Sequence, residues 1–179
     1  MLAESNITQP PNTQPNIFKN GVAPAAEISG FSSCLSINQT LQSSTNMSFA
    51  TNNMLTQGAV ELLESHGNEK QKEYYLPNLI SGKWSGTMNL TEPHAGSDLS
   101  SIKTKAIEKD KKFLIKGTKI YITHGDQDMS DNIIHLVLAK LPDAPDGVRG
   151  ISLFLVPKYY LNDKGTKVKN DIKVVSVEH

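Results

Sequence analysis

The sequence has few of the residues that would place it in a specialised class of protein. Its single cysteine, Cys34, cannot form an internal disulfide, which argues against a disulfide-stabilised scaffold and fits a reducing compartment. No apolar run is long enough to suggest a membrane span. The first residues, Met-Leu-Ala-Glu-Ser-Asn, lack the basic start and apolar core of a secretory signal. These absences predict a cytoplasmic location.

An excess of one charge is also lacking. The chain has 18 basic and 18 acidic residues, and this neutral balance argues against a nucleic-acid-binding surface. Neither a Gly-x-Gly-x-x-Gly pattern nor a phosphate-binding Walker loop occurs, so a dinucleotide fold is not predicted. His94, His124 and His135 have no metal-ligand spacing with Cys34 or with one another. The sequence therefore predicts no metal site.

The first half of the chain divides into a lead and a helical region. Residues 1–30 are rich in Pro, Asn and Gln, which predicts an irregular or disordered lead. Residues 31–83 are predicted to be helical, with a weak helix at about 32–55 and a clearer one at about 56–65 that Gly67 closes in a left-handed conformation. Asn68 and Gln71 resemble a capping box for a further helix, which Pro77 bends or ends.

The second half, residues 84–179, has the alternating pattern of β structure. Strands are predicted at six places, namely residues 86–91, 101–108, 112–123, 132–140, 149–156 and 171–177. The charged cluster at 108–112 predicts a hairpin, and alternation over 113–122 fits an antiparallel sheet with one wet face. The predicted fold class is α+β, with a mainly antiparallel barrel or sandwich of six to seven strands after the helices. Trp84 is predicted to pack at the junction.

Residues 88–98 read Met-Asn-Leu-Thr-Glu-Pro-His-Ala-Gly-Ser-Asp, a short strand followed by a tight polar loop. Pro93 closes the strand, Gly96 lets the backbone approach a ligand, and Thr91 and Ser97 offer hydroxyl groups. Such a loop suits an anion or a heteroaromatic edge. Local chemistry alone also fits a simple surface turn.

A second motif about thirty residues later changes this interpretation. Residues 115–125 read Ile-Lys-Gly-Thr-Lys-Ile-Tyr-Ile-Thr-His-Gly. Together the two blocks closely resemble the flavin-binding signature of acyl-CoA dehydrogenases, and the similarity extends from about residue 55 to the end. The sequence is most similar to the long bacterial branch of the family, which includes 3-methylthiopropanoyl-CoA dehydrogenases. The resemblance implies that residues 31–83 are a remnant of the family's N-terminal helical domain and that residues 84–179 form its middle β domain.

The resemblance further implies an FAD-dependent enzyme that removes an α proton from an acyl-CoA thioester while flavin N5 accepts the β hydride. The positions that match the family's flavin-binding residues are Met88, Leu90, Thr91, Gly96, Ser97, Tyr121, Ile122 and Thr123. Ser97 also matches a position beside the acyl-CoA. Without the first motif, Tyr121 and Thr123 read as ordinary strand residues.

The family's catalytic base is a glutamate of a C-terminal helical domain, which the resemblance places after these residues. We therefore expect no catalytic residue in the chain, which resembles a fragment that is inactive alone. Glu92 and Asp98 are predicted to be structural, as turn-capping carboxylates. The full-length family enzyme implies an electron-transfer flavoprotein or a similar acceptor as partner, and a homo-oligomer.

Two alternatives stay open at this point. One is a catalytically inert β module of the same fold that acts as a binding or decayed piece. The other is an extracellular β-sandwich, suggested by four N-x-[ST] triplets at Asn6, Asn38, Asn46 and Asn89. Flavin binding distinguishes the first alternative, and glycosylation or export the second.

Overall fold

A computed structural model describes residues 40–41, 43–109, 112–162 and 164–177. Residues 40–41 and 43–45 are helical, and two further helices, α1 (Met47–His66) and α2 (Glu69–Ile80), precede seven strands. The strands are β1 (Trp84–Asn89), β2 (Lys105–Lys109), β3 (Lys112–Lys116), β4 (Asn132–Lys140), β5 (Ile151–Pro157), β6 (Tyr159–Leu161) and β7 (Lys167–Lys169). The predicted irregular lead, Cys34 and the first part of the predicted weak helix lie outside the described residues.

The helix boundaries follow local chemistry in part. The predicted capping box is confirmed, because the Gln71 amide donates to Asn68 Oδ1 (3.0 Å) and the Asn68 amide to Gln71 Oε1 (2.8 Å). The prediction of a left-handed Gly67 was wrong, since its φ is not positive. Glycine is required there for another reason: a Cβ would lie 2.5 Å from the Leu63 carbonyl oxygen.

Pro77 was expected to end α2 or bend it, yet the helix continues to Ile80. Proline removes one backbone donor, but the last turn buries Leu79 in the core. The burial of this side chain outweighs the lost hydrogen bond. Trp84, which follows this helix, packs edge-on against Tyr74 and Tyr75, with ring centroids 5.5 Å and 6.1 Å away.

The strands form a mixed sheet of five and a separate ribbon of two. β4 is central: β5 pairs antiparallel with it, while β1 lies parallel to it along residues 132–137. Since β1 and β5 both pair with residues 134–137 of β4, they lie on opposite sides of β4. β2 extends the β1 side in parallel at the Lys105–Lys140 pair and forms the predicted antiparallel hairpin with β3. In the described residues the sheet stays open, and the predicted α+β class with a sandwich-like sheet is confirmed.

Two predicted strand segments are not strands. Residues 117–123 leave the sheet after β3, and Tyr121 has a φ of 57°, which is incompatible with a strand. Residues 171–177 form no ladder with any described strand, although their apolar alternation predicted one. The short ribbon β6–β7 was missed because three-residue strands carry almost no periodic signal.

Each face of the five-stranded sheet has its own core. One face packs against α1 and α2 through Ala59, Leu63, Tyr75, Leu136 and Leu155, among others. On the opposite face, side chains of the β2–β3 hairpin pack against those of β4 and β5, and the Phe113 ring lies 5.2 Å from that of Phe154. Because β4 is covered on both faces, six consecutive residues from Asn132 to Val137 are buried.

A close contact fixes α1 on the sheet. A Cβ at Gly86 would lie 2.6 Å from the Ala59 Cβ, so only glycine allows this approach of β1 to the helix. The Gly86 amide also donates to Thr56 Oγ1 (3.1 Å).

Glu92, in the loop after β1, is a buried carboxylate that joins three segments. It accepts hydrogen bonds from the amides of Lys103 (2.7 Å) and Thr104 (3.0 Å) and from the Thr104 hydroxyl (2.5 Å). Lys119 Nζ completes the set at 2.9 Å, and the side chains of Lys119 and Glu92 are only 7% and 2% exposed. Burial alone raises the pKa of the Glu92 carboxyl, but these hydrogen bonds outweigh it and the pKa is lowered. Glu92 is therefore ionised and structural, as predicted.

A second buried polar contact joins β1 to β4. Thr87 and His135 are register partners, and His135 Nδ1 lies 2.8 Å from Thr87 Oγ1. Burial lowers the pKa of His135 from 6.5 to about 4, so the imidazole is neutral at pH 7.

The first prediction concerns the Glu92 carboxylate. Glu92→Gln removes its charge and leaves buried Lys119 without a counter-ion, so we expect the free energy of unfolding to fall by about 3 kcal/mol. Chemical denaturation measures the loss. The control is Glu69→Gln, which removes the 93% exposed partner of Lys72 and should change stability by less than about 1 kcal/mol. Equal losses of stability in the two variants would contradict a stabilising role for the buried Glu92–Lys119 ion pair. The double variant Glu92→Gln, Lys119→Met should recover part of the lost free energy of unfolding.

The second prediction concerns pH. The pKa of His135 is lower in the folded chain than its usual value of 6.5, so the unfolded chain binds the proton first. The stabilisation is complete above about pH 6.5 and declines toward pH 4, by on the order of 3 kcal/mol in full. Urea denaturation at a series of pH values should show this decline in the wild type and a shallower one in His135→Gln. The same pH dependence in both proteins would refute the role of His135.

Candidate functional site

The two motif segments lie side by side. The Ile120 amide donates to the Thr91 carbonyl (3.0 Å), and Lys119 Nζ donates to the Leu90 carbonyl (2.9 Å). Because Lys119 also binds Glu92, one lysine holds the end of β1, its following loop and the segment after β3 in register. This contact lies directly beside Tyr121, Ile122 and Thr123.

A cleft of about 690 Å³ opens along the second segment, within the size range of ligand pockets. One side is residues 117–126, and the other is residues 172–177, which were predicted to be a strand. Asn89, Thr104, Ile115, His135, Val137 and Val156 line the remaining surface. The cleft therefore exists because neither flanking segment belongs to the sheet.

The candidate site residues divide into two groups. Tyr121, Ile122 and Thr123 line the cleft. The five candidate residues of the first motif do not line it, and that motif contributes Asn89 and Pro93 instead. Their positions differ: Met88 packs toward the helices, Leu90 and Thr91 are half-buried with carbonyls bound to the second segment, and Gly96 and Ser97 are exposed in the loop.

Gly96 does not need to be glycine for packing within this chain. Its φ is not positive, and an added Cβ would meet only the Thr91 methyl, at 3.5 Å. Any requirement for glycine there must come from a molecule outside the described residues.

Tyr121 has a conformation that packing within the chain does not explain. Its side chain is 71% exposed, and its backbone is in the left-handed region at φ 57°, which is rare for a non-glycine residue. A conformation of this kind costs on the order of 1–2 kcal/mol. His124, three residues on, has a φ of 53°. The segment therefore holds an exposed aromatic ring at the mouth of the cleft in a strained backbone.

Polar groups at the same place are available to a ligand. No described residue accepts a hydrogen bond from the backbone N–H of Ile122 or Thr123, and the hydroxyls of Thr91 and Thr123 have no partner among the described residues. An aromatic face with nearby hydrogen-bond donors suits a flat heteroaromatic group with polar edges.

His135 and Asn89 were not predicted as site residues. Thr87 donates its hydroxyl proton to Asn89 Oδ1 (2.8 Å), and the buried His135 ring completes a three-residue polar group at the inner end of the cleft. The available signal was a histidine in the otherwise apolar run 133–139, which periodicity alone reads as core.

The two carboxylates of the first motif do not form an acid–base pair. The Glu92 carboxylate is occupied by its hydrogen bonds to Lys103, Thr104 and Lys119. Asp98 caps the short 3₁₀ turn Leu99–Ser101 by accepting a hydrogen bond from the Ser100 amide (2.9 Å). The prediction that Asp98 caps a local turn is confirmed. Within the described ranges there is no group of three metal-ligating side chains, and no described helix has the length and hydropathy needed to cross a membrane.

Comparisons with known proteins agree with this geometry. The family model described as the acyl-CoA dehydrogenase middle domain matches residues 87–178. A 3-methylmercaptopropionyl-CoA dehydrogenase of Ruegeria pomeroyi is 53% identical over 138 residues, which are 76% of this chain and 24% of that protein. A butyryl-CoA dehydrogenase of Syntrophomonas wolfei is 47% identical over 128 residues, 70% of this chain and 21% of that protein.

Among solved structures, an acyl-CoA dehydrogenase from Geobacillus kaustophilus superposes with a TM-score of 0.52 at 31% identity, covering 67% of this chain and 30% of that one. The chain thus spans roughly a quarter of the length of the curated relatives that it matches. The matched region contains both motif segments, the central strands of the sheet and the residues that line the cleft. The chain belongs to the acyl-CoA dehydrogenase family, and its residues 87–178 match the model of the family's middle domain.

Proposed function

We propose that this chain supplies the flavin-contacting middle segment of an FAD-dependent acyl-CoA dehydrogenase, which removes hydrogen from the α and β carbons of an acyl-CoA thioester. The observation that carries the proposal is the strained, exposed Tyr121 at the mouth of a cleft beside unpartnered hydrogen-bond donors. Strain of this kind persists where the surrounding structure enforces it, and such positions cluster at ligand sites. Family membership specifies which ligand to test.

The residues that would hold the flavin are those of the two motif segments. Tyr121 offers the ring face, the N–H groups of Ile122 and Thr123 offer donors, and the hydroxyls of Thr91 and Thr123 flank them. Bound FAD supplies the redox chemistry, accepting a hydride from the substrate. Donors fixed in the protein stabilise negative charge on a ring without reorganising, which is the contribution that we assign to this segment.

The buried ion pair between Glu92 and Lys119 positions the two segments of this site. It fixes Lys119, and Lys119 fixes the Leu90 carbonyl, so both flavin-contacting segments share one buried anchor. A displacement of about 1 Å at a reacting centre can reduce a rate on the order of a hundredfold, which makes such an anchor functionally important. Met88, Gly96 and Ser97 are proposed at its periphery, with Ser97 also near the thioester.

The proton-abstracting base is proposed to come from outside the matched residues 87–178, because Glu92 and Asp98 are both used in structure. On this view the described residues bind and orient but do not deprotonate. Without that base they are proposed to be inactive alone.

Substrate and partners follow from the relatives and remain proposals. The relatives act, by name, on 3-methylmercaptopropionyl-CoA and butyryl-CoA, so we propose an acyl-CoA with a short acyl chain. An electron-transfer flavoprotein or similar acceptor, assembly of the complete enzyme as a homo-oligomer, and a cytoplasmic location complete the proposal.

The third prediction tests the flavin site. Purified chain should bind FAD, measured by quenching of flavin fluorescence, and Tyr121→Asn should raise the dissociation constant about tenfold by removing the ring. Asparagine tolerates the left-handed backbone, so the free energy of unfolding should not decrease. Tyr121→Phe keeps the aromatic surface and should bind FAD as the wild type does.

A matched control is Tyr160→Ser, which removes a tyrosine from β6, outside the cleft lining. FAD affinity should not respond to it. The proposal fails if Tyr121→Asn binds FAD as tightly as the wild type, or if the wild type binds none at high micromolar FAD. The second result would favour the inert β module that the sequence left open.

A further inference from the structure

The inner end of the cleft contains a buried nitrogen atom without a partner. His135 Nε2 is fully buried, and no described residue lies within hydrogen-bond distance of it, although the ring forms part of the cleft lining. Buried polar atoms are satisfied in the great majority of cases, so each exception calls for a physical reason. Nδ1 is bound to Thr87, so Nε2 is the nitrogen left unpartnered in a ring that lines the cleft.

The neighbouring bonds determine which proton the imidazole carries. The one hydroxyl proton of Thr87 is donated to Asn89 Oδ1, so Thr87 Oγ1 can only accept from the histidine. Neutral His135 therefore carries its proton on Nδ1, and Nε2 presents a lone pair. The three residues thus form a hydrogen-bonded chain in which His135 donates to Thr87 and Thr87 donates to Asn89, which leaves His135 Nε2 as an acceptor.

The surroundings define the class of group that this acceptor suits. Ile115, Val137 and Val156 line the adjacent part of the cleft, and an apolar lining of this kind disfavours a charged group. Asp126 raises the pKa of His135 and Lys158 lowers it to a smaller extent, and these two side chains are paired with each other, so neither charge selects the ligand. An uncharged donor, such as a hydroxyl or an amide N–H, suits both the lone pair of the acceptor and the apolar lining.

We propose that His135, oriented by Thr87 and Asn89, forms a hydrogen-bond acceptor subsite that binds an uncharged hydroxyl or amide N–H of the ligand held in the cleft. The choice of ligand rests on the proposed function, which offers two sources of such a group. One is the ribityl chain of a flavin, and the other is the pantetheine arm of an acyl-CoA. His135 contributes orientation and affinity, and has no part in proton transfer.

The experiment separates the two sources with three probes and the whole 179-residue chain. Riboflavin and lumiflavin share the ring system, but only riboflavin has the ribityl hydroxyls; pantetheine represents the other source. His135→Phe should raise the dissociation constant of riboflavin about tenfold and leave that of lumiflavin within about twofold, if the ribityl chain is the donor. If the donor is pantetheine, its affinity falls about tenfold in the same variant. The control His66→Gln changes an exposed histidine at the end of α1, outside the cleft lining, and should alter none of the three affinities.

A second variant covers the case in which His135→Phe does not fold. Thr87→Val keeps the imidazole but removes the acceptor that holds the Nδ1 proton. In ¹⁵N-detected NMR of the wild type, Nδ1 should be protonated and Nε2 not, and Thr87→Val should mix the two tautomers and weaken the same probe. A wild-type imidazole protonated on Nε2 would overturn the inference, since that atom could no longer accept.

The remaining outcomes keep this inference apart from the proposed function. FAD binding that does not depend on His135 or Thr87, or riboflavin and lumiflavin weakened equally with pantetheine unaffected, overturns the acceptor subsite and leaves the flavin site intact. If the wild type binds no flavin but binds pantetheine in a way that depends on His135, the acceptor subsite stands and the flavin site is overturned. A wild type that binds none of the probes overturns both.

Discussion

The buried ion pair between Glu92 and Lys119 is the interaction on which the geometry of this molecule depends. It brings together a loop after β1, the entrance to β2 and the segment after β3, three pieces that are separated along the chain. A buried charge is costly unless it is fully hydrogen-bonded, and Glu92 meets that condition with four donors. If the segments moved apart, a buried charge would be left unpaired in a low-dielectric interior, which is unfavourable.

This anchor explains how the chain maintains a cleft next to strained backbone. The sheet itself is stabilised by apolar packing on both faces of β4, which needs nothing from residues 117–126. Those residues are therefore free to leave the sheet, and Lys119 limits how far they can move. Tyr121 consequently combines an exposed ring with a rigid neighbour, the combination expected at a binding site whose precision comes from a fixed scaffold.

The polar group of Thr87, Asn89 and His135 shows a related arrangement inside the sheet. Parallel pairing of β1 with β4 puts Thr87 opposite His135, and the period of two along β1 puts Asn89 on the same face. Three polar side chains thus meet on a face of the sheet that borders the cleft, where Asn89 and His135 line it. The resulting buried histidine would be unfavourable in a closed core, and its position at the cleft gives it a role compatible with burial.

Several features could be predicted from sequence because their causes are local. The capping box at Asn68 depends on two residues three positions apart, and the Asp98 cap depends on a single turn. The buried strand β4 shows as an apolar run, and the two signature blocks specify the family without reference to any contact. Local signals are less decisive where they compete with packing: Pro77 does not end its helix, whose next turn buries Leu79.

Residues 117–123 and 171–177 failed for a different reason, since both have the alternation of a strand. Alternation reports that a segment could fit a sheet, but whether it does depends on a free partner edge and on compatible backbone angles. Tyr121 has the wrong φ for a strand, and residues 171–177 border the cleft without forming a ladder. The same limit hid His135, because nothing in its neighbours along the chain indicates that its ring lines a cleft.

The amino-acid sequence alone determined the family, the placement of helices before strands, the central buried strand and the identity of both motif segments, because each is encoded in residues close together along the chain. Only the tertiary structure decided that Glu92 is an anchor, that Tyr121 is held exposed, and that Thr87, Asn89 and His135 form one polar group beside a cleft. These properties arise from contacts between residues about 27 to 48 positions apart. Such contacts depend on how the whole sheet folds over itself, and no local pattern specifies them.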